Sequence, residues 1–320
     1  MYFDAHADIW THVARKRSRG EQGIFKRYHL PEFRQGGIGG GIFVVWTDQK
    51  EEPKGRMLEI LGKMAVELKE NQDILFPVRA SSDLEEAWET DKLTVIMGLE
   101  GLSGIGEDLD LLYMLYHLGF RHASLTWNEE NPLATGVSGN PERGLTELGR
   151  QAVRTMEELG MIIDVSHLNE TSFWDLLQVV DKPVIASHSN CKALCNVPRN
   201  LTDEQIAALA GKGGVIGINV CPGFINEEKD KQDVEHLADH LEHLVEIAGI
   251  EHAGFGFDFC DYLRDEDEQP KEKGMGTRGI EDASRVPNLI KVLEERGYSS
   301  AEIELLSYQN FFRVFKELLP

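Results

Sequence analysis

The segment Met161–Asn190, MIIDVSHLNETSFWDLLQVVDKPVIASHSN, holds two short β-branched apolar runs separated by a helix-length stretch, and each run ends at a histidine. Short apolar runs without alternation read as strands buried on both faces, and two parallel strands need a crossover long enough for a helix. The segment is therefore a βαβ unit. The same unit recurs along the chain, with strand-like runs at Tyr2–Asp8, Ile42–Trp46, Leu93–Glu100, Arg121–Thr126, Met161–Ser166, Pro183–Ser187, Gly214–Val220 and His252–Phe259. Eight such runs predict an α/β fold of one domain over 1–320: a single (β/α)8 TIM-like barrel. A chain of 320 residues with 41% hydrophobic residues is long enough to fill that core, and no linker divides it.

Between the strands, Met57, Ile60, Leu61, Met64 and Leu68 recur at helical spacing and make Lys54–Glu70 an amphipathic helix on the barrel exterior. Leu109–Leu118 reads as a helix stopped by Gly119, and Thr146 caps one that runs to Gly160. Thr202–Gln205 and Ser299–Glu302 are capping-box sequences, and Asp233–Ala248, Glu281–Arg296 and Ser299–Leu319 complete the set. The basic run Arg15–Arg19, ahead of the glycine cluster Gly36–Gly41, reads as a solvated loop. Arg264–Arg278, charged and without periodicity, reads as a loop over the active face that could serve as a lid.

In such a barrel functional groups gather at the C-terminal ends of the strands, and side chains alternate between the two faces. Alternation places His6 with Asp8, ends Leu93–Glu100 on an inward Glu100 with Gly98 and Gly101 keeping space around it, groups His167 with Ile163 and Val165, groups His188 with Val184 and Ala186, and groups Asp258 with Gly254 and Gly256. Asp164 falls on the opposite face and is assigned a structural role. Three imidazoles and three carboxylates at strand ends would each be buried without a partner, unless they share a metal centre. His6, Asp8, Glu100, His167 and His188 are then ligands, with Asp258 facing them. Mixed nitrogen and oxygen donors suit zinc, with manganese, iron, cobalt and nickel as alternatives. Five ligands exceed what one catalytic zinc needs, so two ions bridged by Glu100 fit better, about 3.5–4 Å apart with a hydroxide between them. Asp258 would take the proton and pass it to the leaving amine. The chemistry is metal-assisted hydrolysis.

Other features exclude other roles. A net charge of −22, with no Lys/Arg patch of the kind phosphate binding needs, argues against nucleic acid. No apolar run spans a bilayer, and Tyr2–Asp8 already reads as a strand where a leader would stand, so the expectation is a soluble cytoplasmic protein with no membrane partner. Association as a homodimer is left open. Cys191, Cys195, Cys221 and Cys260 are too scattered for a disulfide framework and read as reduced thiols. His236 and His240 have a spacing that can bind zinc, but no third ligand is near, so they read as solvent-facing.

The motifs His6-Ala7-Asp8, Gly98-Leu99-Glu100-Gly101, Ile163-Asp164-Val165-Ser166-His167, Pro183-Val184-Ile185-Ala186-Ser187-His188-Ser189 and Gly254-Phe255-Gly256-Phe257-Asp258-Phe259 resemble, in order, those of the membrane (renal) dipeptidase family, within the amidohydrolase superfamily. Arg199-Asn200, Gly279–Asp282 and Asn310–Phe315 extend the resemblance over nearly the whole chain. It implies a two-zinc dipeptidase in which His6 and Asp8 bind one ion, His167 and His188 the other, and Glu100 bridges them. It further implies that Arg199 clamps the free carboxylate of the dipeptide, that Asp258 is the acid/base, and that a D-residue is accepted at the C-terminal position. Two positions depart from the pattern. Trp127 stands where vertebrate members carry a histidine that stabilises the tetrahedral intermediate, and an indole donates one hydrogen bond without charge. Trp127, Asn128 and Asn131 are accordingly assigned to the substrate, the two asparagines as replacement donors. Cys260-Asp261 replaces the usual Asp-Gly. The alternative substrate is another amide, lactam or lactone, such as an N-acyl amino acid. A barrel that keeps metal without turnover is disfavoured by the full ligand set together with Asp258.

Overall fold

Parallel strands alternate with helices along the chain in the computed structural model, which describes residues 1–48, 52–263 and 276–320. The strands are β1 (Tyr2–Ala7), β2 (Ile38–Trp46), β3 (Leu75–Pro77), β4 (Leu93–Glu100), β5 (Phe120–Ser124), β6 (Ile162–Asp164), β7 (Ile185–Ala186), β8 (Val215–Ile218) and β9 (Ala253–Phe255). They follow the order β1-β2-β4-β5-β6-β7-β8-β9, a nearly closed (β/α)8 barrel. Asp258 N donates to His6 O at 3.3 Å and Phe257 N to Asp4 Oδ1 at 2.8 Å, which draws the last strand to the first. β3 is an addition to the expected eight. It pairs with Leu93–Val95 of β4, the half that β5 leaves free by pairing only from Met97 onward.

Apolar side chains sort into two shells. Phe3, Ala5, Ile42, Val44, Ile96, Ile162, Ile185 and Val215 pack together inside the barrel, where Phe311, Phe312 and Phe315 of the C-terminal helix Asn310–Leu318 join them. Phe3 meets Phe312 and Phe315 edge-on at 5.4 and 5.6 Å, so this helix plugs the N-terminal end of the barrel. Gly254 is required there, because a Cβ would lie 2.7 Å from the Phe311 ring. Phe43, Val45, Val95, Met97, Leu99, Ile163, Val165, Val184 and Ala186 belong instead to the cluster that the surrounding helices cover. Ile163, Val165, Val184 and Ala186 therefore face outward, contrary to the alternation expected for β6 and β7, and Asp164 faces inward with Ile162.

Several local expectations also change. The basic run is not a loop: Ile9–Ser18 is a helix that buries Ile9, Trp10, Val13 and Ala14. Its Arg17 pairs with Glu67, which is fully buried, and with Glu70 at 2.7 Å on the helix Pro53–Glu70. The expected helix over 299–319 is interrupted by a π-helical turn at Leu305–Gln309. His236 is bonded to its own helix cap, Asp233, at 2.7 Å, but His240 is buried rather than solvent-facing: Cys191 N donates to its Nδ1 at 3.1 Å and its Nε2 donates to Ile225 O at 2.8 Å. The Thr146, Thr202 and Ser299 caps form as expected. Residues 264–275 of the expected lid lie outside the described residues. Among the described residues no helix is long and apolar enough to cross a membrane.

Candidate active site

Three different local devices bring the charged residues to one end of the barrel. On β1, Asp4 pairs with Gly41 and Ala7 with Phe43, so β1 carries one extra residue over that interval. Such a bulge reverses the side-chain parity. Phe3 and Ala5 lie inside, Ala7 joins the outer cluster, and His6 turns into the site. Asp4 Oδ1 pins the bulge by accepting from His6 N at 3.2 Å and Phe257 N at 2.8 Å. Asp8 follows at the N-cap of Ile9–Ser18. Glu100 arrives by plain alternation, in parity with Ile96. Gly98 makes room not for Glu100 but for His122, whose Nδ1 would lie 2.5 Å from an added Cβ.

His167 and Asp258 sit on unusual backbone. Their φ values, +74° and +57°, are the two positive ones at non-glycine residues among those described. Both fall at the site: at His167 the strained backbone re-aims a side chain that alternation with Ile163 and Val165 would send outward, whereas Asp258 keeps the inward parity of Gly254, which faces the Phe311 ring. His188 lies two residues beyond β7, with its Nδ1 2.6 Å from Ser187 Oγ.

The side chains converge on Glu100 Oε1, which lies 2.8 Å from His167 Nε2, 3.5 Å from His6 Nε2 and 3.6 Å from His188 Nε2. His6 Nε2 lies 3.9 Å from Asp8 Oδ2 and 4.0 Å from Asp258 Oδ1. Burial pushes the carboxyl groups of Asp8 and Glu100 well above their usual range, and their carboxylate neighbours add to it. Burial raises Asp258 to about 6, against the opposing hydrogen bond from Asn219 and the charge of Arg199. It also lowers His6 to about 3 and holds His167 and His188 well below the usual imidazole value. Carboxylates that resist ionising beside imidazoles that resist protonating form a site short of positive charge. Both ring nitrogens of His6 and Oδ1 of Asp8 are buried without a hydrogen-bond partner. The ligand atoms of His6, Glu100 and His188, and of His6, Asp8 and Asp258, lie within 4.8 Å of one another. A divalent cation fits this donor set, because neutral imidazole and carboxylate oxygen are the forms that coordinate it.

A cavity of about 290 Å³ opens onto these groups, with Trp46, Trp127, Asn128, Arg199 and Phe224 in its wall. Arg199 is buried, with Nη2 3.2 Å from both His167 Nε2 and His188 O, and its Nε has no partner. Trp127 packs edge-on against Trp46 at 5.2 Å. Asn128 Oδ1 lies 2.8 Å from His167 Nδ1. Asn131 does not reach the cavity. Its Oδ1 accepts from Leu133 N and Ala134 N and its Nδ2 donates to Leu125 O, so its amide is committed to holding the loop. The sequence reading missed Asp164, Ser187, His122, Asn219 and Trp46. Counting parity from Ile162 instead of Ile163 would have found Asp164.

The sequence pattern of the membrane dipeptidase family, peptidase family M19, matches residues 1–319. An uncharacterized dipeptidase of Schizosaccharomyces pombe is 32% identical over 93% of this chain and 73% of its own length. The crystal structure of a Rhodobacter sphaeroides metallopeptidase, liganded with a phosphinate mimic of the dipeptide L-Ala-D-Ala, superposes with a TM-score of 0.87 at 25% identity over 99% of both chains. That of dipeptidase AC, a family M19 metallopeptidase, gives the same TM-score and identity over 99% of this chain and 98% of its own. With the family pattern matched from the first residue to the last but one, the chain belongs to the membrane dipeptidase family of metallopeptidases, and it is a hydrolase.

Proposed function

We propose that this enzyme hydrolyses dipeptides, those with a C-terminal D-residue included, using two divalent cations, zinc by preference. His6 and Asp8 would hold one, His167 and His188 the other, with Glu100 shared. The observation that carries this reading is the convergence of three imidazoles on one buried carboxylate oxygen, beside a buried guanidinium, at the mouth of a barrel. When bound, the cations supply Lewis-acid polarisation of the scissile carbonyl and acidify water.

The protein's own groups do the rest. Arg199, a planar donor with an unpartnered Nε, suits the free carboxylate of a dipeptide. Asp258, 4.0 Å from His6 Nε2, is placed to take a proton at Oδ1 and return it to the leaving amine, while Asn219 Nδ2 holds its Oδ2 at 3.0 Å. Trp46 and Trp127 supply apolar wall. Trp127 carries no charge to a developing oxyanion.

The test is hydrolysis of L-Xaa-L-Xaa and L-Xaa-D-Xaa panels by zinc-loaded protein, with chelated protein and N-acyl amino acids as controls. Metal-dependent cleavage of free dipeptides is expected. Turnover of N-acyl amino acids with none of dipeptides would replace this reading with that of a different amidohydrolase.

A further inference from the structure

We propose that Ser187, held by Asp164, and Asn128 are positioning residues: they fix the Nδ1–H tautomers of His188 and His167, leaving both Nε2 lone pairs turned toward Glu100. The inference rests on reading these histidines as metal ligands.

The direction of each hydrogen bond follows from counting protons. Asp164 Oδ1 accepts from Ser166 N at 2.9 Å and Ser187 N at 3.0 Å. Its Oδ2 accepts from Ser187 Oγ and from His122 Nε2, the latter at 3.1 Å. With four donors aimed at it, Asp164 only accepts. The single hydroxyl proton of Ser187 is therefore spent on Asp164, and Oγ faces His188 Nδ1 at 2.6 Å as an acceptor. His188 Nδ1 must carry the hydrogen, and Nε2 is bare.

His167 reaches the same state by another route. The amide oxygen of Asn128 accepts from its Nδ1 at 2.8 Å. Arg199, which has no acceptor atom, stands 3.2 Å from its Nε2, as it would against a lone pair. The two bare Nε2 atoms lie 2.8 Å apart and face Glu100 Oε1 at 2.8 and 3.6 Å, an arrangement of acceptors that a shared cation would hold together. His6 differs: neither of its ring nitrogens has a partner, so no neighbour selects its tautomer.

The inference is tested on the full chain by comparing wild type with Ser187→Ala, Asn128→Ala and Asn128→Asp. Zinc affinity for each equivalent is read by competition with a chromophoric chelator, the cobalt(II) absorption spectrum reports the ligand field, and circular dichroism reports folding. Removing either acceptor should weaken one equivalent by about 10–100-fold and shift the cobalt spectrum, with the other equivalent and the fold unchanged. Asn128→Asp keeps an acceptor at the same place and should restore binding. Wild-type affinities and spectra in both alanine variants would overturn the proposal, as would an Asn128→Asp protein as weak as Asn128→Ala. A wild-type chain that takes up no zinc would overturn the metal reading and this inference with it. A wild type that takes up two, matched by its alanine variants, would overturn the tautomer lock alone.

Discussion

Asp258 combines an unfavourable backbone angle, a half-buried carboxyl raised to about 6 and one firm hydrogen bond from Asn219. Its replacement by Asn keeps size and the Asn219 contact while removing the proton carrier. Asp258→Asn is expected to retain bound zinc by elemental analysis and to lower kcat by about 10²–10⁴-fold, the usual weight of a general acid/base. Near-wild-type turnover would strip Asp258 of that role. A second prediction concerns protons at the same site. Asp8 and Glu100 are raised by burial, Asp8 further by the charge of Asp258 and Glu100 by those of Asp8 and Asp258, so without metal their carboxyl groups retain protons above the ordinary carboxylate range. A cation coordinates the ionised forms and must expel those protons, so zinc affinity should rise with pH. Calorimetry in buffers of different ionisation enthalpy should record net proton release on zinc binding. Uptake, or no exchange, would mean that these carboxylates do not meet the ion.

At the scale of elements, legibility in the sequence depended on whether a strand ran unbroken to its end. Over the long strand β4 alternation placed Glu100 correctly. In β6 and β7, which are three and two residues long, parity taken from the neighbouring apolar residues pointed the wrong way. His167 reaches the site through positive φ and His6 through a bulge, neither of which leaves a periodic trace, whereas Asp258 follows the parity of Gly254. The histidines are legible because their types and strand-end positions converge. For Asp164 parity is the sole signal in the sequence, and beside so short a strand it points outward. The helix Ile9–Ser18 was hidden behind its own basic residues, although Ile9, Trp10, Val13 and Ala14 have helical spacing. That helix is tied to its neighbour through Arg17, and Arg17→Ala would leave Glu67 fully buried with Phe25 N and Asn71 Nδ2 as remaining donors. The expected loss is about 3 kcal/mol, the range for orphaning one half of a buried pair, read from the urea midpoint. Removing Lys316 from its exposed pair with Glu85 should leave the midpoint unchanged.

Across the whole molecule the two ends of the barrel divide the work: aromatic packing closes the N-terminal end, and charged side chains crowd the C-terminal end. Phe315 packs its ring against Phe3, Phe311 and Phe312, none of which lines the cavity. Phe315→Ala should cost about 3–5 kcal/mol through lost transfer energy and the void left behind. Removing the metal removes a ligand of the native state, which costs about 4 kcal/mol for a site held at a thousand times its Kd. The two losses act on groups with no common partner, and such effects add to within about 0.5 kcal/mol. Unfolding free energies of wild type and Phe315→Ala, each with zinc and after chelation, should therefore close a cycle with negligible coupling, and the zinc-loaded variant should keep its kcat/KM below the unfolding transition. A coupling above about 1 kcal/mol would show that the plug reaches the ligand shell through the inner column of Ala5, Val44 and Ile96. The rigid division of labour would then give way to one core that both closes the barrel and tunes its metal end.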